Sequence, residues 1–172
     1  MKYLGLIWIG SLVFFGCKED MNRKFKTPAK PVNIEEILLN QQREMVKKDS
    51  LIIADYLIKE GNDFSQSGTG LRYKIIEQSA GELVKSGERV FLEYVITDLK
   101  MDTLYTSEKS GIMKLEVDFS RAESGLHELV KYMRKGEKAV AILPPHLGHG
   151  LAGDDYKIPA YTILKFEVKV LK

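Results

Sequence analysis

The sequence predicts an α+β domain: an antiparallel sheet wrapped around one short amphipathic helix, preceded by an N-terminal helical segment. Three observations predict it. From Gly70 onward apolar and polar residues alternate with period two, as in half-buried strands: Leu71, Tyr73 and Ile75; Val90, Leu92, Tyr94 and Ile96; Met113, Leu115 and Val117. Between strand-like stretches, Leu126, Leu129, Val130 and Met133 form a single helical stripe that ends in Lys131, Arg134, Lys135 and Gly136. Upstream, Ile34, Ile37, Leu38, Met45, Ile52, Ile53, Tyr56 and Leu57 recur at helical spacing. Several strands packed on one amphipathic helix make an α+β layer.

The first element is not part of that domain. Residues 1–16, MKYLGLIWIGSLVFFG, are a lysine followed by an apolar run that is too short to span a bilayer and reads as an export signal. Cys17, the single cysteine of the chain, follows a small residue and resembles the acylated cysteine of a bacterial lipobox, although Phe14 and Phe15 depart from the usual pattern. An ordinary signal peptide with an incidental cysteine is the alternative. Residues 17–32 carry two prolines and little apolar periodicity, and read as a tether. Lys18, rather than an aspartate, after the cysteine resembles the sorting pattern of outer-membrane lipoproteins, so the expectation is an exported protein, lipid-anchored to the cell envelope on its periplasmic or surface side.

Residues 33–61 form the helical segment. Asn33 fits an N-cap with Glu36 as its capping-box partner, Gly61 is the stop, and Asp49-Ser50 is a point where the helix can divide. This segment is a candidate surface for pairing two copies of the chain. Residues 70–172 form the main domain, closing with strands at 140–143 and 162–171 on either side of a long loop. Ser124 is the candidate cap of the short helix. The 26 basic and 24 acidic residues nearly balance, which points to no nucleic-acid partner. A lone cysteine allows no intramolecular disulfide, so the core must suffice.

The long loop contains GHGLAG, residues 148–153, with the G-x-G-x-x-G spacing of a dinucleotide turn. Such a turn needs a helix to follow, whose N-terminal amides hold the pyrophosphate. Here Asp154 and Asp155 follow, Pro159 disfavours helical geometry at Ile158, and the next element is a strand. The glycines therefore read as joints of an exposed loop. His146 and His149 form an H-x-x-H near the two aspartates, but a flexible loop does not hold ligands at fixed spacing, so no metal and no cofactor are expected.

The stretch from about Gly70 to Lys172 resembles an FKBP-type peptidyl-prolyl cis-trans isomerase domain. The resemblance rests on SGERVFLEYVITDL, SGLHELVKYMRKGEKAVAILPP, GHGLAG and IPAYTILKFEVKVL, in that order. It implies a proline pocket under a flap formed by the GHGLAG loop. Tyr94, Ile158 and Phe166 stand where the family has its pocket tyrosine, flap isoleucine and pocket phenylalanine. Leu104 and Met113 replace usual phenylalanines, and Leu126 stands at the usual tryptophan floor. Tyr105 replaces an aspartate, Ala122 and Glu123 replace Val-Ile, and His149 replaces the flap tyrosine. Each of Tyr94, Leu126 and Phe166 is also readable as a plain core residue. The implied function is isomerisation of X-Pro bonds in exported polypeptides; the alternative is a non-catalytic binding module or holdase. LYTSEKSG and GDDYKI also resemble the FKBP-like lipoproteins associated with gliding motility.

If Cys17 carries the anchor, Cys17→Ser moves the protein from the membrane pellet to the soluble exported fraction. Retention of that variant in the pellet, while soluble exported proteins are released, removes the lipid tether from consideration.

Overall fold

The computed structural model describes residues 33–61 and 63–171; the signal, Cys17 and the tether lie outside them. Helix α1 (Ile34–Glu60) is one continuous helix through Asp49-Ser50, and Gly61 ends it at φ 99°. The strands are β1 (Ser65–Gln66), β2 (Arg72–Glu77), β3 (Arg89–Asp98), β4 (Thr103–Thr106), β5 (Met113–Glu116), β6 (Lys138–Leu143) and β7 (Leu164–Val170). Two helices interrupt them: a single turn α2 (Ser107–Ser110) between β4 and β5, and α3 (Ser124–Lys131) before β6. The strands form one antiparallel sheet in the order β1-β2-β6-β7-β3-β4, and β5 pairs with the opening residues of β3.

The long strand β3 organises this sheet. One edge pairs with β7 along its length, Leu92 opposite Val170 through Asp98 opposite Leu164. The other edge is shared: β5 takes Arg89–Leu92 and β4 takes Val95–Thr97. Between the two partners the Tyr94 amide has no strand to pair with, and the Ser107 hydroxyl of α2 accepts it at 3.1 Å. This inserted turn completes the hydrogen bonding that a split edge would otherwise leave open.

Period-two alternation sends the strands' side chains to two different layers. Val90, Leu92, Tyr94 and Ile96 of β3, Leu164, Phe166, Val168 and Val170 of β7, and Ala139, Ala141 and Leu143 of β6 enclose Leu126, Leu129 and Val130 of α3 in one core. The small Ala139 and Ala141 leave room for the helix. On β6, Ile142 alternates with Ala141 and Leu143, and joins Ile53 and Leu57 of α1 and Ile163 in a second cluster. Tyr56, Phe64 and Leu99 pack on this cluster, and the Lys165 ammonium donates to the Tyr56 hydroxyl at 3.1 Å.

Burial divides the stripe of α1, and the candidate cap of α3 is corrected. The apolar stripe of α1 is buried only at Ile53 and Leu57; Ile34, Ile37, Leu38, Met45 and Ile52 remain exposed, because the sheet meets only the last turns of the helix. Ser124 is the first residue of α3 and not its cap. Glu123 holds the cap position, its carbonyl accepting the Leu126 and His127 amides, while the Ser124 hydroxyl donates to the Leu147 carbonyl at 3.4 Å.

Gly125 shows how tightly α3 enters the core. A Cβ there would lie 2.8 Å from two atoms of the buried Leu143 side chain and 3.0 Å from the Leu147 carbonyl. Overpacking costs about 1–3 kcal/mol, whereas replacing glycine by alanine in a helix gains about 1 kcal/mol. Gly125→Ala is therefore expected to lower stability in chemical denaturation despite its better helix propensity.

Candidate functional site

At one end of the sheet, a cleft of about 480 Å³ opens between Met113 of β5, the approach to α3 at Arg121, Ala122 and Glu123, and the loop residues Gly148 and His149. Directly behind it lies the core. Tyr94, Leu126, Ile158 and Phe166 are buried members of that cluster, and Leu104, Tyr105, Met113 and Ala122 pack against it. Eight of the ten residues singled out from the sequence thus belong to, or pack against, this one core cluster, and two of them, Met113 and Ala122, also line the cleft. The remaining two meet each other: the His149 Nε2–H donates to the Glu123 carboxylate at 2.8 Å, joining the loop to the start of α3.

Depth separates these residues. Leu126 is 1% exposed and Phe166 fully enclosed, so both belong to the core as much as to the cleft. Met113, Ala122, Glu123 and His149 line the open part. Sequence reasoning missed Arg121, which no motif marks, and named Gly148 only as a joint of the GHGLAG loop; both complete the lining.

The loop from Gly148 to Ile163 is held by its own polar groups. Gly150 and Gly153 adopt φ values of 61° and 77°, where glycine carries no steric penalty. The chain passes from Gly153 through turns to β7 without forming a helix. The amides of Tyr156, Lys157 and Ile158 all donate to Asp154 Oδ1, at 3.0, 2.8 and 2.7 Å, so this turn carries its own anion. The other Asp154 oxygen accepts the Tyr105 hydroxyl, which links the loop to β4. The Lys157 ammonium lies 4.9 Å from the Tyr105 ring centre and 5.6 Å from that of Tyr156.

The electrostatics follow from these contacts. The hydrogen bond to a carboxylate, assisted by burial, pushes the Tyr105 hydroxyl up to about 12. For Asp154, burial raises the pKa, but the Tyr105 hydroxyl and three amides outweigh it and hold the carboxyl well below the usual range.

The histidines are each engaged by protein acceptors. His146 Nε2–H donates to the Thr69 carbonyl at 2.9 Å, away from His149. His127, buried on α3, accepts the Asp118 amide at Nδ1 and donates from Nε2 to the Ser120 carbonyl, tying down the chain between β5 and α3. No group of three or more His, Cys, Asp or Glu that could hold a metal comes together among the described residues. The arrangement offers an apolar floor with a polar lip. Such a site can desolvate and orient a small apolar group while leaving a flanking backbone in reach of polar side chains.

Residues 81–171, more than half of the chain, match the profile of the family described as FKBP-type peptidyl-prolyl cis-trans isomerase. A Haemophilus influenzae relative carrying that name is 29% identical over 112 residues, 65% of this chain and 46% of its own length. The Escherichia coli FKBP-type peptidyl-prolyl cis-trans isomerase FkpA is 32% identical over 108 residues, 61% of this chain and 38% of its own length. The chain thus spans less than half the length of these curated relatives. The crystal structure of Escherichia coli FkpA superposes with a TM-score of 0.61 at 25% identity, covering 86% of this chain and 74% of that one.

The Tyr105–Asp154 contact makes a pH prediction. A folded-state pKa raised from 10.0 to about 12 means that the native state holds this proton more tightly than the unfolded state does. The resulting stability is fully present below pH 10 and lost as the pH rises toward 12. Melting temperature measured across pH 9–12 is expected to fall less steeply in Tyr105→Phe than in the unmodified protein; parallel curves would contradict the assignment.

Proposed function

This chain belongs to the FKBP-type peptidyl-prolyl cis-trans isomerase family, and we propose that it speeds rotation about X-Pro bonds of exported polypeptides in the cleft between Met113, Ala122 and His149. The observation that supports this reading is an open cleft whose lining residues Met113 and Ala122 also pack against the core cluster that holds Tyr94, Leu126, Ile158 and Phe166. Rotation about an X-Pro bond must break amide resonance, against a barrier of about 18–20 kcal/mol, and breaks no covalent bond. An apolar floor favours the twisted amide, which carries less charge separation than the planar one. The remaining requirement is orientation, which the cleft walls supply.

His149 limits the rate. Its Nε2–H is already given to Glu123, so a substrate carbonyl must compete with a carboxylate for that donor. Turnover below that of relatives with a free donor in this position is the consequence.

A second reading, a holding module for unfolded chains, is favoured by a separate cavity of about 420 Å³. Leu38, Met45 and Val46 of α1 line it together with Leu151 and Tyr161 of the loop. In both readings we place the protein in the cell envelope, anchored through a lipid on Cys17 with the outer membrane as destination, among the FKBP-like lipoproteins of gliding motility. The 33–61 helix, whose apolar residues are exposed in its first turns, is the surface through which two copies would pair.

A protease-coupled assay on a short proline-containing peptide tests the main reading, since uncatalysed isomerisation takes about 10–100 s at 25 °C. Leu126→Trp would overpack an enclosed position, so the informative variant is Ala122→Trp, which fills the open cleft from its half-buried rim. It is expected to abolish acceleration while leaving the melting temperature within a few degrees, as surface substitutions usually do. Phe166→Ala is expected to cost about 3–5 kcal/mol of stability as well as activity. No acceleration by the unmodified protein, or full activity in Ala122→Trp, would falsify the cleft as an isomerase site. Suppression of aggregation by a variant without peptide activity would then favour the holding module.

A further inference from the structure

The turn that carries Ile158 is fastened to the sheet by the Asp154 side chain. Asp154 closes the turn in two ways. Its amide donates to the Ile158 carbonyl at 3.0 Å, and its Oδ1 accepts the amides of Tyr156, Lys157 and Ile158. Gly153 seals the knot: a Cβ there would fall 2.1 Å from the Ile158 carbonyl oxygen. The second carboxylate oxygen then takes the Tyr105 hydroxyl from β4, a strand rigidly paired to β3. Through these contacts the Ile158 side chain, 3% exposed, is held in the core cluster on which Met113 and Ala122 of the cleft pack, while Asp154 is not among the cleft's lining residues.

We infer that Asp154 is a positioning residue: clamped by Tyr105, it fixes the loop turn that presents Ile158 to the proline cleft. The inference rests on the isomerase reading and deepens it. A carboxylate suits the task because one group accepts four hydrogen bonds, three from its own turn and one from the sheet, and charge-assisted bonds are the stronger kind. The geometry also separates the two halves of the clamp. Asp154→Asn keeps an oxygen for the three amides but replaces the oxygen facing Tyr105 by an NH2 group that cannot accept. Tyr105→Phe removes the donor and leaves the turn intact. Asp154→Ala removes both.

When only the loop-closed state binds well, the apparent affinity scales with the fraction of molecules in that state. Losing one hydrogen bond to a charged group shifts such an equilibrium by roughly tenfold or more. For a proline peptide at 10 °C, KM is expected to rise by about three- to tenfold in Asp154→Asn and in Tyr105→Phe, with kcat within about twofold of the unmodified protein. The double variant is expected to be no worse than either single one, because both remove the same bond. Asp154→Ala is expected to be worst of all. A merely structural role would lower the melting temperature and leave KM unchanged in these variants.

Hydrogen exchange at the Tyr156, Lys157 and Ile158 amides provides the second measurement, independent of activity. These amides are expected to be protected in the unmodified protein and in Tyr105→Phe, and unprotected in Asp154→Ala. If the unmodified protein accelerates isomerisation but the single variants keep its KM, the positioning role falls and the isomerase reading stands. If the unmodified protein gives no acceleration, both fall together. Equal exchange in the unmodified protein and Asp154→Ala overturns the clamp directly.

Discussion

The enclosure of Phe166 is the constraint on which the other features depend. On β7 it stands opposite Ile96 of β3 on one side and Ala141 of β6 on the other, and no part of it reaches solvent. A side chain of this size at the middle of three paired strands needs small neighbours above it, which Ala139 and Ala141 provide, and a helix to close the volume, which α3 provides with Leu126, Leu129 and Val130. The same arrangement brings Tyr94, one strand away on β3, to the edge where β4 and β5 diverge.

The cleft borders the core: Met113 and Ala122 line it and also pack against the cluster that Phe166 and Leu126 help fill. Glu123 and His149 line its outer part. The positions at which the resemblance marks a departure fall in both layers. Met113, Ala122, Glu123 and His149 line the cleft, where Glu123 and His149 pair, and Leu104, Tyr105 and Leu126 lie in or against the core.

The two faces of the sheet have different duties. One holds α3 and the cleft. The other receives the last turns of α1, where Ile53 and Leu57 meet Ile142 and Ile163. The first turns of α1 run beyond the sheet and keep their apolar residues exposed, though Met45 is reached by the Tyr161 hydroxyl at 3.2 Å from the end of the loop. One loop therefore touches both α1 and the cleft, with Tyr161 facing the helix and Ile158 facing the core.

The sequence by itself determined the α+β class, the long strands and the short helix. These follow from local periodicity: alternation in β3 and β7 and the 3.6-residue stripe of α3 are written along the chain. It also excluded a dinucleotide turn, since two aspartates and a proline follow the glycines. Only the tertiary structure decided how far α1 is buried, because Ile52 and Ile53 are alike as residues and differ only in which side the sheet approaches. It alone decided the partners of Glu123 and His149, 26 residues apart, and of Tyr105 and Asp154, 49 apart. Each of these polar groups has many eligible partners in the sequence, and the choice is made by strand register and by the path of one loop, which no local pattern encodes.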